Sequence, residues 1–267
     1  MNNYIALGNK ILEYGLKEET RIGSTRSLHN EVLSFNLDEG FPLMTTKHVG
    51  HKSIINELLW YLKGTTSIKY LKDNKVHVWD KFADANDDIG KTYSWQFRNF
   101  NGVDQVKEVI RQLNRDDRIT DRRAIINLYN VSDLKEMSIP PCITFIQFNV
   151  YYVAGEKRLD ASIYQRSADF CLGVPYDIAE MALLTHVIAA YTHSRPMNMA
   201  IFYSNVHVYE AHVNTLKEQL KVQPKELPHL IVDTARVRMT EPEELTADMF
   251  KVMRIPKDRQ KFEYELF

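Results

Sequence analysis

Cys142 sits in IPPCITFIQF, directly after two prolines. Proline nitrogens cannot donate to a strand ladder, so Pro140-Pro141 should hold an extended lead into the strand that follows. A thiol just past such a break could face a cavity at a sheet edge and act as a nucleophile. A free cysteine is also a common small apolar core residue, and the local pattern leaves both readings standing. Arginines come next: Arg21 in RIGST, Arg122 and Arg123 in TDRRAI, and Arg166 after Tyr164-Gln165. Guanidinium groups beside Ser, Thr and Gly turns can clamp a phosphate bidentately, and one near Cys142 would favour the thiolate. On a solvated edge they would do neither. Glu57 interrupts the apolar set Ile54, Ile55, Leu58, Leu59 and Tyr61. A carboxylate there is paired, hydrogen-bonded or raised in pKa, unless it stands at an edge and reaches water. Asp177 lies in GVPYDIAEMA, where Asp177-x-x-Glu180 has the form of a helix capping box. It could equally be a carboxylate at the mouth of a cavity, accepting hydrogen bonds from an exocyclic amine.

These residues need elements to position them. Apolar spacing predicts helices over 3–17, 53–64, 103–113 and 209–220, with Gly64 stopping the second. The run IAEMALLTHVIAAYTHS (178–194) is apolar on nearly every side and should be a buried central helix. Strands are expected at 28–36, 123–129, 143–153, 159–165, 199–203 and 230–237. Strands and helices interleave irregularly, which predicts an α+β or mixed α/β fold with a large sheet. No repeat, low-complexity tract or linker divides the chain, so one domain over 1–267 is expected.

Composition narrows the function. With 44% hydrophobic and 26% charged residues the chain can build a core, which excludes disorder as its dominant state. The 34 Lys and Arg against 35 Asp and Glu remove the basic footprint of a dedicated nucleic-acid binder. Two cysteines, no CxxC and no HExxH argue against a disulfide framework or a zinc site, so no metal is expected. The start MNNYIALGNK lacks the pattern of a signal peptide, and no apolar run is long enough for a bilayer; a cytoplasmic setting is the expectation.

Taken together, the segments resemble the thymidylate synthase family. FPLMTTK (41–47), INELLWYLKG (55–64), VWDKFAD (78–84), DRRAIINLYN (121–130), PPC (140–142), YQRSADFCLGVPYDIA (164–179) and SNVHVYEAH (204–212) follow that family's pattern in order. The resemblance implies a large twisted sheet flanked by helices, paired sheet-to-sheet in a homodimer. It also implies a pyrimidine 5′-monophosphate substrate and 5,10-methylenetetrahydrofolate as one-carbon donor. Cys142 would add to ring C6 as a thiolate and make C5 nucleophilic. Arg21, Arg166 and Ser167 would hold the phosphate, with Arg122 and Arg123 reaching over from the other subunit. Glu57 would organise proton transfer; Tyr93 and Asp169 would lie near the base and folate. Gln165 and Asp177 would face the base, His207 and Tyr209 the sugar hydroxyl. Val78, Trp79, Asp169, Leu172 and Gly173 would line the folate pocket.

The departures from that pattern carry more information. Thymidylate synthases have Asn where this chain has Asp177. An amide suits the O4 and N3–H of uracil, whereas a carboxylate accepts from the N4 amine of cytosine and can share a proton at N3. A site built for one exocyclic group rejects the other, because a buried polar group is left unmatched. The family's cytidylate hydroxymethylases have Asp at this position. Ile143 replaces the usual His after the cysteine, and KDRQKFEYELF lacks the short apolar tail that closes the pocket over folate. A wetter pocket lets water capture the transferred carbon before a hydride arrives. Arg26, in the RIGSTRS loop, is either a surface charge or a further contact to phosphate or sugar. The resulting expectation is a cytidylate 5-hydroxymethyltransferase acting on dCMP ahead of CMP. The rivals are a methylase of dUMP or dCMP and, from another class, a nucleotide- or RNA-binding scaffold without turnover. Retention of Cys142, Glu57, Arg166 and Asp169 argues against the scaffold.

Overall fold

The computed structural model describes residues 1–115 and 122–265. Asp121, which opens the DRRAIINLYN motif, and Leu266 and Phe267 of the C-terminal segment lie outside the described residues. The helices are α1 (Asn2–Tyr14), α2 (His51–Lys63), α3 (Lys69–Asp73), α4 (Tyr93–Asn99), α5 (Gln105–Leu113), α6 (Gly173–Tyr191), α7 (Val213–Gln219) and α8 (Thr234–Met239). The strands are β1 (Leu16–Glu19), β2 (Ser24–Asn36), β3 (Ile125–Asn127), β4 (Ile143–Val153), β5 (Glu156–Gln165), β6 (Ala168–Asp169), β7 (Arg195–Tyr209), β8 (His229–Val232) and β9 (Phe250–Met253). The large sheet has the order β1-β2-β7-β5-β4-β3, with β6 also paired to β7; β8 and β9 form a separate ribbon. β7 is antiparallel to β2 but parallel to β5 and β6, so the sheet is mixed. This is the helix-flanked large sheet that the interleaved pattern predicts.

Register explains how the sheet divides its two faces. Leu33, Ile201, Ile163, Ile146 and Ile126 are successive cross-strand partners, and all are buried. One residue along, Val32, Phe202, Tyr164 and Phe145 form the neighbouring row on the opposite face, because side chains alternate along a strand. Val32, Phe202 and Tyr164 are each more than 40% exposed. The sheet therefore has one face in the core and one apolar face outside it.

Helix α6 crosses from β5 to the parallel β7 and packs against both. Most of its residues are buried, including Ile178, Met181, Leu184 and Ile188. Each such side chain removed from water contributes about 1.5–3 kcal/mol, so this helix is a central part of the core. Against it lies α2, buried from Ile54 through Leu62. Its C-cap Gly64 adopts φ +67°, and a Cβ there would stand 2.7 Å from Arg98 Cβ. That close approach brings α2 against α4, which matters because α2 carries Glu57 and α4 carries Tyr93.

Several expected boundaries move. β7 runs from Arg195 to Tyr209, far beyond the expected 199–203, because polar Asn198, Ser204, Asn205 and His207 alternate with its buried positions. The expected helix over 209–220 narrows to α7, since Tyr209 still pairs with Thr25 in the sheet. The expected strand at 230–237 ends at Val232. There the Asp233 side chain accepts from Arg236 N–H and caps α8. The central helix begins at Gly173 rather than 178.

Candidate active site

Cys142 lies immediately before β4, where the two prolines leave two carbonyls without an obvious partner. Arg166, directly after β5, supplies it. Its Nε donates to Pro141 O and its Nη2 to Pro140 O, both at 2.9 Å. Its backbone N–H donates to Cys142 O at 2.8 Å, and Nη2 stands 3.9 Å from Cys142 Sγ. One residue thus fixes the lead into the strand and puts a positive charge beside the thiol. From α4, the Tyr93 hydroxyl accepts Cys142 N–H at 2.6 Å and Ile143 N–H at 3.3 Å. The turn before α4 is tied to the same lead. Lys91 N–H donates to Glu136 O at 3.0 Å, and Thr92 Oγ1 donates to Ile139 O at 3.0 Å.

The guanidinium does not by itself produce a thiolate. Burial pushes the Cys142 thiol up, and this outweighs the downward pull of Arg166. The negative potential of Asp177 adds to the rise, and a hydrogen bond from Tyr93 works against it. Arg166 lowers the thiol pKa, as expected of a guanidinium beside it, but the net shift is upward because burial is the larger effect.

Of the two readings of Asp177, the capping box is the one that does not hold. Asp177 stands a full turn inside α6, whose N-cap is Leu172, so it caps nothing. Its Oδ2 instead accepts from Gln165 Nε2 at 2.8 Å. Gln165 is fixed in turn by a second bond, to Ser167 O at 3.1 Å. Burial raises the Asp177 carboxyl to about 7, with the Gln165 hydrogen bond opposing and the charge of Asp169 adding. Glu57, on α2, is 9% exposed and is no solvated edge. Its Oε1 accepts from Trp79 Nε1 at 2.7 Å and from the Tyr61 hydroxyl at 3.4 Å. Burial is again the main cause that lifts its pKa to about 7, and the nearby Asp177 adds to it. Two carboxyls thus lie within each other's field, both near neutrality. Groups poised there can give or take a proton at physiological pH.

An aromatic wall backs these acids. Trp79 packs on Trp60, Phe82 and Tyr93 with ring centres 5.4–5.8 Å apart, and Tyr61 stacks on Tyr93 at 5.2 Å. Val78, by contrast, is 53% exposed. On β6, Asp169 Oδ1 accepts from Cys171 N–H at 2.8 Å and from Leu172 N–H at 3.0 Å. Gly173 follows as the first residue of α6. Asp169 also pairs in register with His207 of β7. His207 Nδ1 meets Asn205 Oδ1 at 2.9 Å, and burial lowers its pKa, with Asp169 and Glu18 opposing. Tyr209 packs edge-on against it at 5.5 Å.

The remaining arginines are further out. Arg21 is exposed in the turn before β2, and Arg122 and Arg123 are exposed just before β3. Arg26 belongs to the fold: it pairs with Glu210 at 2.8 Å and donates to Leu12 O at 3.1 Å. Lys47 was missed by sequence reasoning. Its ammonium donates to Cys171 O at 2.6 Å, lies over the Tyr264 ring at 4.7 Å, and is lowered to about 8 by burial. Asp169, Cys171 and His212 bring ligand-type atoms within 4.8 Å of one another. Lys47 already supplies a cation to that cluster, and burial holds the Cys171 thiol well up.

The C-terminal segment does not hang free over this region. His48 N–H donates to Gln260 O at 2.7 Å, and the Tyr264 hydroxyl donates to Gln219 Oε1 at 2.5 Å. The tail that was expected to leave the pocket open is laid along the body, held by polar and aromatic contacts. A groove of about 450 Å³ lined by Ser34, Asp160 and Asn198 opens elsewhere and shares no residue with the cysteine site.

A half-buried thiol beside a guanidinium and within the field of Asp177 is a set of groups chemically able to support covalent addition with acid–base help. The thymidylate synthase family model matches residues 2–261, and the chain belongs to that family. Its activity is accordingly of the family's class, a folate-dependent one-carbon transfer to a pyrimidine nucleotide.

Proposed function

We propose that this chain is a 5-hydroxymethyltransferase acting on a cytosine 5′-monophosphate, dCMP ahead of CMP. The observation that carries the base assignment is Asp177, held by Gln165 through Oδ2 while Oδ1 takes no hydrogen bond from the described residues. A carboxyl near pKa 7 offers both forms that cytosine needs. The protonated form donates toward N3, and either form accepts from the N4 amine. Uracil presents N3–H and O4, for which a carboxylate has no donor.

The chemistry follows from the chain's own groups. Cys142 adds to C6 as the thiolate, which Arg166 stabilises once the nucleotide is bound. A proton given by Asp177 toward N3 draws electron density off C6, which eases the thiolate's addition there and leaves C5 as the nucleophilic carbon of the adduct. Glu57 exchanges protons at the base, its orientation fixed by Trp79 and Tyr61. Arg21, Arg166 and Ser167 hold the phosphate, and His207 and Tyr209 the sugar. In the proposed homodimer, Arg122 and Arg123 of a second copy complete the phosphate site.

The folate donor also has a fitting place. A pterin needs a flat apolar wall and a hydrogen-bond acceptor. The buried indole of Trp79 provides the first, and Asp169 Oδ2, which takes neither of the backbone N–H groups bound by Oδ1, provides the second. Val78, Leu172 and Gly173 complete that wall, and Lys47 suits an anionic tail. Methylenetetrahydrofolate supplies a one-carbon unit there.

Ile143 is buried, so no polar group stands after the cysteine to order water at a pyrimidine O4. This supports a changed base. The docked tail and the buried Trp79 favour the alternative reading, methylation at C5, because they shield the pocket from water. Product mass separates the two after incubation with methylenetetrahydrofolate and dCMP, CMP or dUMP. A gain of CH2O on a cytosine nucleotide supports hydroxymethylation, and a gain of CH2 makes the enzyme a methylase. Turnover of dUMP alone overturns the base assignment. A cytoplasmic setting is part of the proposal; among the described residues no helix is long and apolar enough to cross a membrane.

A further inference from the structure

Glu180 is an acid in the middle of the most apolar helix. It stands one turn beyond Asp177 on α6, is 3% exposed, and is surrounded in sequence by Ile178, Ala179, Met181 and Ala182. Its Oε1 is buried without a hydrogen-bond partner among the described residues. A bare carboxylate there would cost far more than a neutral acid, and an apolar side chain would serve the packing better than either. The other observation is Tyr61. Its hydroxyl donates to Glu57 Oε1 at 3.4 Å and neighbours the Glu180 side chain. Tyr61 thus stands beside both carboxyls, Glu180 in the core of α6 and Glu57 at the cysteine site.

We propose that Glu180 is a positioning residue that stores a proton for Glu57, the two carboxyls exchanging it through the Tyr61 hydroxyl. In the forward direction the Glu180 proton passes to the Tyr61 oxygen as Tyr61 gives its own proton to Glu57. One O–H bond breaks and one forms at each transfer, and the negative charge moves from Glu57 to Glu180. The reverse transfer restores both. No other species is consumed.

The surroundings fit such an exchange. The groups that face Glu180 are Glu57 and Tyr61 from α2 and Asp177 from its own helix, and Tyr93 of α4 stacks on Tyr61. Burial and the two neighbouring carboxyls all disfavour a charge on Glu180, and among the described residues no cation opposes them. The stored proton is therefore retained at rest and returns after use. The inference rests on the proposed role of Glu57, which must give and take protons at the base while the pocket excludes water.

The test compares wild type, Glu180→Gln, Tyr61→Phe and the double variant. Gln keeps shape and neutrality but cannot pass a proton. Glu180→Gln is expected to lower kcat by about 10- to 100-fold while KM for nucleotide and folate stays within about twofold. The kcat–pH profile should lose one of its carboxyl ionisations. Tyr61→Phe should do the same, and the double variant should be no worse than either single one, as expected of groups acting in series. Without any substrate, the infrared carboxylic-acid stretch present above neutral pH should vanish in Glu180→Gln. Wild-type kcat with an unchanged pH profile, losses that multiply, or a persisting infrared band would overturn the proposal. If Glu180→Gln does not fold, Tyr61→Phe carries the kinetic arms. Should wild type turn over dUMP instead of dCMP, the base assignment fails, and the same variants are read with that substrate.

Discussion

The side-chain amide of Gln165 donates to Asp177 Oδ2 at 2.8 Å, joining the end of β5 to the second turn of α6. This contact holds in place the one residue that separates cytosine from uracil in the proposed site. Asp177→Asn exchanges an acceptor for a group that can donate to O4. The ratio of kcat/KM for dUMP to that for dCMP is expected to rise by at least about 100-fold, because mismatched buried polar groups discriminate strongly. An unchanged ratio in competition assays would reduce Asp177 to a structural residue.

Cys142 and Arg166 give a second prediction, read without turnover. With the thiol pushed up by burial, its alkylation by iodoacetamide should be slow at neutral pH and accelerate as pH rises. Arg166→Ala removes the charge that, among the described residues, favours the thiolate, so the alkaline limb should move to higher pH. It also frees the Pro140 and Pro141 carbonyls, at about 1 kcal/mol for each hydrogen bond lost. A limb that stays in place would mean that Arg166 serves only the backbone.

Glu57 links the site to stability. Its folded-state pKa of about 7 lies above the ordinary 4.5, so between those values the folded protein binds more protons than the unfolded chain. The stability associated with the protonated form is complete below about pH 4.5, declines as pH rises through about 7, and then levels off. Glu57→Gln should therefore raise stability at pH 8 by up to about 3 kcal/mol and change little at pH 4.5, while abolishing most activity. Thermal unfolding of both proteins across this range checks it; equal shifts at both ends would contradict the linkage.

Much of this arrangement was legible beforehand. Strand β4 appears with its expected bounds, and the run that became α6 is recognisably a buried helix. Cys142, Arg166, Glu57 and Asp177 could each be singled out by residue type. Their gathering could not, because it depends on the close approach of α2 to α4 at Gly64 and on Arg166 binding the proline carbonyls. Helix α4 escaped notice because YSWQFRN has no apolar period: Tyr93, Ser94, Gln96 and Arg98 are buried alike. In sequence Glu180 has the spacing of half a capping box, since spacing alone does not show where a helix starts. An acid inside a run apolar on nearly every side was the available signal. Lys47 owes its setting to the tail and Cys171, which sequence distance conceals.

The outer row Val32, Phe202 and Tyr164 yields the last prediction. An apolar band on three adjacent strands, each residue more than 40% exposed, is unusual for a surface facing water and suits a second copy packed sheet against sheet. Phe202→Glu places a charge in the middle of that band and should shift the protein to a monomer in sedimentation. If Arg122 and Arg123 serve the neighbouring subunit's phosphate, the monomer should also lose affinity for nucleotide. Subunit mixing makes the point without relying on the monomer's integrity. Cys142→Ala and the double variant Arg122→Ala, Arg123→Ala should each be inactive alone. Re-paired from a mixture, they form heterodimers in which one site has an intact cysteine and both intact arginines. Activity should then return to about a quarter of the wild-type level, as random pairing in a two-fold assembly requires. No recovery despite heterodimer formation would show that each subunit's arginines serve its own site.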